Sequence, residues 1–161
     1  MKNMALAAVV MAAMLGPAAA ADRVAAFGVL WINTSLELTR PDEEARLAAA
    51  GRQLEQGLTA RGYHLVDTAP VAARTASFDL RSCTVCELDL ARELDADFAL
   101  LAWVQKVSNL ILNINLQVHD VATGRLVGAG SVDIRGNTDE SWSRGMRRLI
   151  ERQIPQASTT P

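Results

Sequence analysis

Lysine is nearly missing from this chain: Lys2 and Lys106 are the only two in 161 residues, so arginine carries almost all the positive charge. The formal net charge is −2, without the basic excess that nucleic acid attracts or the acidic run of a disordered tail. Two cysteines and two separated histidines, His64 and His119, are too few for a closed four-ligand zinc site. Attachment of a c-type haem is excluded because Glu87, not histidine, follows Cys86. No G-x-S-x-G, H-E-x-x-H, P-loop or G-x-G-x-x-G occurs, and Asn137 to Glu140 lacks the spacing of a calcium loop. His119 with Asp120 or Asp133 offers a general-base pairing, but no pattern places a nucleophile beside it. The sequence therefore predicts no enzyme, no cofactor and no metal site.

What is present begins with an export signal. Lys2 precedes an unbroken apolar run from Met4 to Leu15, Gly16-Pro17 breaks it, and Ala18 to Ala21 supply small residues before Asp22. The run is short for a membrane span, and no cysteine stands at the cleavage site to carry a lipid. The expectation is a signal peptide over residues 1–21 and a periplasmic or secreted mature chain. The remainder, in a chain 50% hydrophobic and 21% charged, predicts one domain over residues 22–154 and a flexible tail over 155–161.

Apolar periodicity divides the mature chain. Arg23 to Asn33 reads as a strand with two apolar faces. Pro41 and the acidic residues Asp42, Glu43 and Glu44 open a helix with a stripe of Leu47, Gly51, Leu54 and Leu58, closed at Arg61-Gly62. Tyr63 to Asp67 is a short strand and Ala69 to Ala76 a weak helix. Cys83 to Asp95 forms the next helix, with Glu87 toward solvent, and Phe98 to Val104 a buried strand. Leu110 to Val121 alternates, with Leu110, Leu112, Ile114, Leu116 and Val118 on one side. Ala122-Thr123-Gly124 turns the chain into a return strand, Leu126 to Arg135. The last helix runs from about Thr138 to Gln153, capped by Asn137 with Glu140, and its apolar stripe includes Trp142. The order β-α-β-α-α-β-β-β-α predicts an α/β (α+β) fold: a mixed, largely antiparallel sheet packed by helices.

Two features carry functional readings. Cys83 and Cys86 form a C-x-x-C pair, read first as a disulfide of an exported protein and second as a thiol–disulfide redox centre. Asn113 and Asn115 follow one another on a strand face where asparagine is disfavoured, and the return strand adds Asp133 and Arg135. Lys106, Asn109, Asn137, Asp139, Glu140 and Trp142 are expected at one end of the same hairpin. This set is either a solvated sheet face with a helix cap and a core tryptophan, or a binding surface for a protein partner. A small-ligand carrier is the further alternative.

Cys83-x-x-Cys86-Glu87, Trp103-Val104-Gln105-Lys106-Val107-Ser108-Asn109, Asp120-Val121-Ala122-Thr123-Gly124 and Arg135-Gly136-Asn137-Thr138-Asp139-Glu140-Ser141-Trp142 resemble a family of proteobacterial exported proteins, domains of unknown function 2380 and 3280. The resemblance implies export, and some members encoded near quinoprotein alcohol dehydrogenases imply an accessory role. More distantly, Arg92 to Asp97 and the Asp120 to Gly124 hairpin resemble an envelope module. It occurs in the Tol–Pal translocation protein's amino-terminal domain, the curli secretion lipoprotein and activators of penicillin-binding proteins. That likeness implies a non-catalytic domain that binds an envelope protein.

Overall fold

The computed structural model describes residues 21–77, 79–83 and 85–158; the expected signal segment lies, up to Ala20, outside them. The strands are β1 (Arg23–Asn33), β2 (His64–Leu65), β3 (Phe98–Lys106), β4 (Ile111–Asp120) and β5 (Leu126–Arg135). The helices are α1 (Pro41–Ala60), α2 (Ala72–Thr75), α3 (Cys86–Glu93) and α4 (Asp139–Gln153), with single 3₁₀ turns at Ala69–Val71 and Leu80–Ser82. Element order and fold class are those the sequence predicts.

The sheet runs β2-β1-β3-β4-β5. β1 pairs in parallel with β2 and β3, whereas β3-β4 and β4-β5 are antiparallel. The chain moves one way along the sheet from β1 to β2, then back past β1 to reach β3. Crossovers of the same hand must then place their helices on opposite faces. α1 accordingly packs on one face, joined there by α4, while α3 packs on the other.

The α1–α4 face holds the main core. Leu100, Ala102 and Val104 of β3, and Leu112, Ile114, Leu116 and Val118 of β4, meet Leu54 and Leu58 of α1 and Trp142, Met146 and Leu149 of α4. Glycine lets α4 lie close against β5. A methyl group at Gly128 would come within 2.0 Å of the Gln153 carbonyl oxygen, and one at Gly145 within 2.7 Å of Ile134. On the other face Leu88, Leu90 and Ala91 of α3 cover Ala25 of β1 and Ala99 and Leu101 of β3. Beyond β3, α3 reaches only the last residues of β4, at His119, so much of the β4–β5 face on this side has no helix above it.

Several local expectations change. The buried stripe of α1 is Glu43, Ala50, Leu54 and Leu58, with Leu47 and Gly51 only half-buried. Glu87 is buried under the sheet beside His119, not turned to solvent. α4 is capped by Thr138, which exchanges hydrogen bonds with Ser141, rather than by Asn137 with Glu140. Leu110 leaves the apolar alternation because it belongs to the β3–β4 turn, where it is exposed. The stretch expected to fray is docked as far as Ser158: the Ala157 amide donates to the Arg61 carbonyl and the Ser158 amide to the Asp22 carboxylate.

Candidate functional site

The residues singled out in the sequence fall into two groups on opposite faces of the sheet. Lys106, Asn109, Asn137, Asp139 and Trp142 meet at one end of the α1–α4 face. Asn113, Asn115, Asp133 and Arg135 lie on the uncovered face. Glu140 joins neither group; it is exposed and pairs with Arg144 one turn along α4.

Lys106 ends β3 on the core side, and its side chain is wholly buried. Its ammonium donates to Glu43 Oε1 at 2.7 Å and meets Glu37 Oε2 at 2.9 Å. Glu43 sits in the first turn of α1, where a carboxylate suits the positive end of the helix, and its Oε2 accepts from the Arg40 amide at 2.9 Å. Asn137 Nδ2 donates to Glu43 Oε1 at 2.6 Å, while its Oδ1 accepts from Trp142 Nε1 at 2.9 Å and from Arg46 at 3.2 Å. Asn109 Oδ1 accepts from Arg40, and Asp139 pairs with Arg46 at 2.6 Å. Trp142 stacks on Trp31 with ring centroids 5.6 Å apart. Burial pushes the Glu43 carboxyl upward, but the Lys106 ammonium and the donated amides outweigh it and hold the group below its ordinary value. Burial likewise pulls Lys106 down, and its two carboxylate partners override that and raise it. Read from sequence as a surface cation, Lys106 instead braces the β1–α1 loop from beneath, because a buried charge must be paired.

That brace gives the loop an inverted polarity. Asn33 accepts from the Ser35 amide and hydroxyl and donates to the Glu37 carbonyl, and Glu37 reaches inward to Lys106. Leu36 and Leu38, between and beyond these anchors, point outward; Leu36 is fully exposed and Leu38 89% exposed. The Thr34 amide and hydroxyl both donate to the Lys106 carbonyl, tying the loop to the start of the β3–β4 turn. That turn exposes Val107 and Leu110, and Ile111 at the start of β4 is exposed as well, so five aliphatic side chains stand at this end of the sheet.

The uncovered face begins beside this apolar end. Asn113 is opposite Asp133, and Asn115 opposite Ser131. Asn113 Nδ2 donates to Ser131 Oγ at 2.8 Å and to Asp133 Oδ1 at 2.6 Å. Arg135 lies opposite Ile111, and neither its side chain nor that of Asn115 makes a hydrogen bond among the described residues. The leucine rim carried no usable signal in the sequence, because Leu36 and Leu38 sit in a segment that reads as a polar connection.

Cys83 and Cys86 are joined as a disulfide across the entry to α3. His119 Nδ1 lies 3.6 Å from Glu87 Oε1, so its acidic neighbour is Glu87; Asp120 is held by Thr123 and Asp133 by Asn113. A groove of about 660 Å³ runs between α1 and α4, lined by Ala45, Arg46, Ala49, Gln53, Asp139 and Trp142. Among the described residues no cluster of His, Cys, Asp and Glu would hold a metal ion, and no helix is long and apolar enough to cross a membrane.

Solved structures share this fold at low identity. The LpoB C-terminal domain from Escherichia coli is 16% identical, with a TM-score of 0.50 over 71% of this chain and 83% of that one. PelC from Paraburkholderia phytofirmans, solved as a dodecamer, is 19% identical, with a TM-score of 0.50 over 89% of this chain and 94% of that one. The hypothetical protein CT253 from Chlamydia trachomatis is 15% identical, with a TM-score of 0.50 over 82% and 92%. No curated protein matches the chain in sequence. The DUF3280 family model, described as protein of unknown function (DUF2380), matches residues 22–154, and the chain belongs to that family.

Proposed function

We propose that the mature chain is a non-catalytic docking domain of the bacterial envelope. It engages a protein partner through the uncovered β4–β5 face and the leucine rim beside it. The loop of inverted polarity carries this reading. Holding Glu37 inward on Lys106 while Leu36 and Leu38 face water is unfavourable for an isolated domain, and covering each leucine returns about 1.5–3 kcal/mol. The adjoining polar ladder of Asn113, Ser131 and Asp133, with the unbonded Asn115 and Arg135, supplies directional contacts around that apolar anchor. The export signal read over residues 1–21 supports an envelope address, and the fold shared with LpoB and PelC is compatible with it.

The test is affinity capture from the organism's own periplasm, with mass spectrometry of the captured proteins. The Leu36→Ser/Leu38→Ser and Asn115→Ala/Arg135→Ala variants should each lose a dominant partner while keeping the wild-type melting temperature. Capture of the same partner by both variants at wild-type yield removes the assignment.

A further inference from the structure

β5 is the outer strand of the sheet, and along its free side nothing among the described residues pairs with it. Its sequence, Leu126-Val127-Gly128-Ala129-Gly130-Ser131-Val132-Asp133-Ile134-Arg135, contains no proline and no lysine, two of the usual devices that blunt an exposed edge. The direction of its backbone groups follows from the hairpin. The Gly136 amide donates to the Leu110 carbonyl, so even-numbered residues of β5 bond inward to β4. The N–H and C=O groups of Ala129, Ser131, Asp133 and Arg135 therefore point outward.

The surroundings of this edge are cationic. α4 runs antiparallel to β5: Gly145 approaches Ile134 and Val132, and Gln153 lies against Gly128 and Gly130. Ser143 and Ile150 face the other way, toward Gln53 and Gly57 of α1. Arg148 and Arg152 follow Gly145 along its ridge and so stand on the β5 side of the helix. Both are exposed, and neither makes a salt bridge among the described residues; the same is true of Arg135 at the end of the strand. Asp133, the carboxylate of β5 itself, is turned to the uncovered face and occupied by Asn113.

We infer that the β5 edge receives an extended acidic segment of a partner protein as a sixth strand, with its carboxylates at alternate positions facing Arg148 and Arg152. The outward backbone groups of β5 supply the pairing, and the arginines select an acidic strand. A second copy of β5 is the less suitable occupant, because pairing two such edges brings two sets of Arg148 and Arg152 together. The inference rests on the docking reading and deepens it by naming a second contact and the chemistry of what binds there.

The probe is a capped ten-residue peptide alternating threonine and glutamate, added at millimolar concentration to the mature protein and followed by amide hydrogen exchange. Binding should newly protect the amides of Ala129, Ser131 and Asp133 while leaving Gly130 and Val132, already bonded to β4, unchanged. Arg148→Glu/Arg152→Glu should weaken binding by about tenfold at low salt, and a threonine–lysine peptide should not bind. Ala129→Pro removes an outward donor and should abolish the protection. Absence of protection, equal binding of the lysine peptide, or binding indifferent to both variants overturns the inference. Self-association of the protein that disappears in Ala129→Pro overturns it in favour of a second copy. Partner capture that survives Ala129→Pro but not Leu36→Ser/Leu38→Ser removes the edge contact and leaves the docking reading intact. Peptide protection without loss of capture in the leucine variant does the reverse.

Discussion

Replacing Lys106 with methionine is the sharpest probe of the brace beneath the leucine loop. Methionine keeps most of the length and apolar stem but deletes the ammonium that contacts Glu43 at 2.7 Å and Glu37 at 2.9 Å. Glu37 is half-exposed and can turn to water. Glu43 cannot, because its side chain is fully buried; it keeps only the Arg40 amide and Asn137 as donors. Removing one partner from such a pair costs about 3–5 kcal/mol, against a typical total of about 5–15 kcal/mol. Urea unfolding, followed by tryptophan fluorescence, should show the midpoint falling by about 2 M at an m-value of about 2 kcal/mol per molar. The pH dependence separates this cause from a packing defect. In the wild type the Glu43 carboxyl titrates below its ordinary value, so its stabilisation is present above that value and is lost as pH falls through the lowered one. In the variant, burial acts without the opposing ammonium, so the folded state gains protons and stability as pH falls. The gap between the two proteins must therefore narrow on acidification. Adding Glu43→Gln should recover about 2 kcal/mol or more at neutral pH. A loss below about 1 kcal/mol, or a gap that stays constant with pH, refutes the reasoning.

Two glycines should respond in opposite directions. Gly51 lies within α1 with nothing within 4 Å of an added methyl group, so Gly51→Ala should stabilise by about 0.5–1 kcal/mol. Gly128→Ala drives the new methyl group into the Gln153 carbonyl and should destabilise by about 1–3 kcal/mol, as thermal unfolding will show. Thr138→Ala removes the cap of α4 and should cost about 1 kcal/mol in the same assay. Protein recovered from the periplasm should begin at Asp22 on intact-mass measurement; a mass retaining residues 1–21 contradicts the cleavage site.

Most of the fold is legible from short-range pattern. The alternation of Leu112 to Val118 and the turn at Gly124 placed β4 and β5, and Pro41 with its acidic followers placed the start of α1. What periodicity cannot supply is which of two polar residues is buried. Glu87 occupies a helical position that reads as solvated and Glu43 one that reads only as a helix-start acid, yet each turns inward toward a basic side chain far along the chain, His119 and Lys106. The two halves of the candidate site read as one in the sequence for a separate reason. Strand parity assigns Lys106 and Asn113 to opposite faces, but a rule that groups residues by hairpin end overlooks parity.

The leucine rim follows from that long-range pair. Between β1 and α1 the chain must pass over the end of β3, where the sheet closes on a buried ammonium. Glu43 supplies one counter-charge from the helix, and Glu37 supplies another from the loop, so the loop must present Glu37 inward. The loop bends at Ser35, Leu36 and Glu37, and with the Glu37 carboxylate held on Lys106 the residues on either side of it, both leucines, are left exposed. A polar residue at either position would satisfy the same geometry without exposing apolar surface. The cost of two exposed leucines is therefore not imposed by the fold, and it is recovered only when something covers them. Leu36→Ser/Leu38→Ser should consequently leave the isolated domain as stable as before and abolish partner capture. A melting temperature that falls with that change would mean that the leucines serve the fold after all.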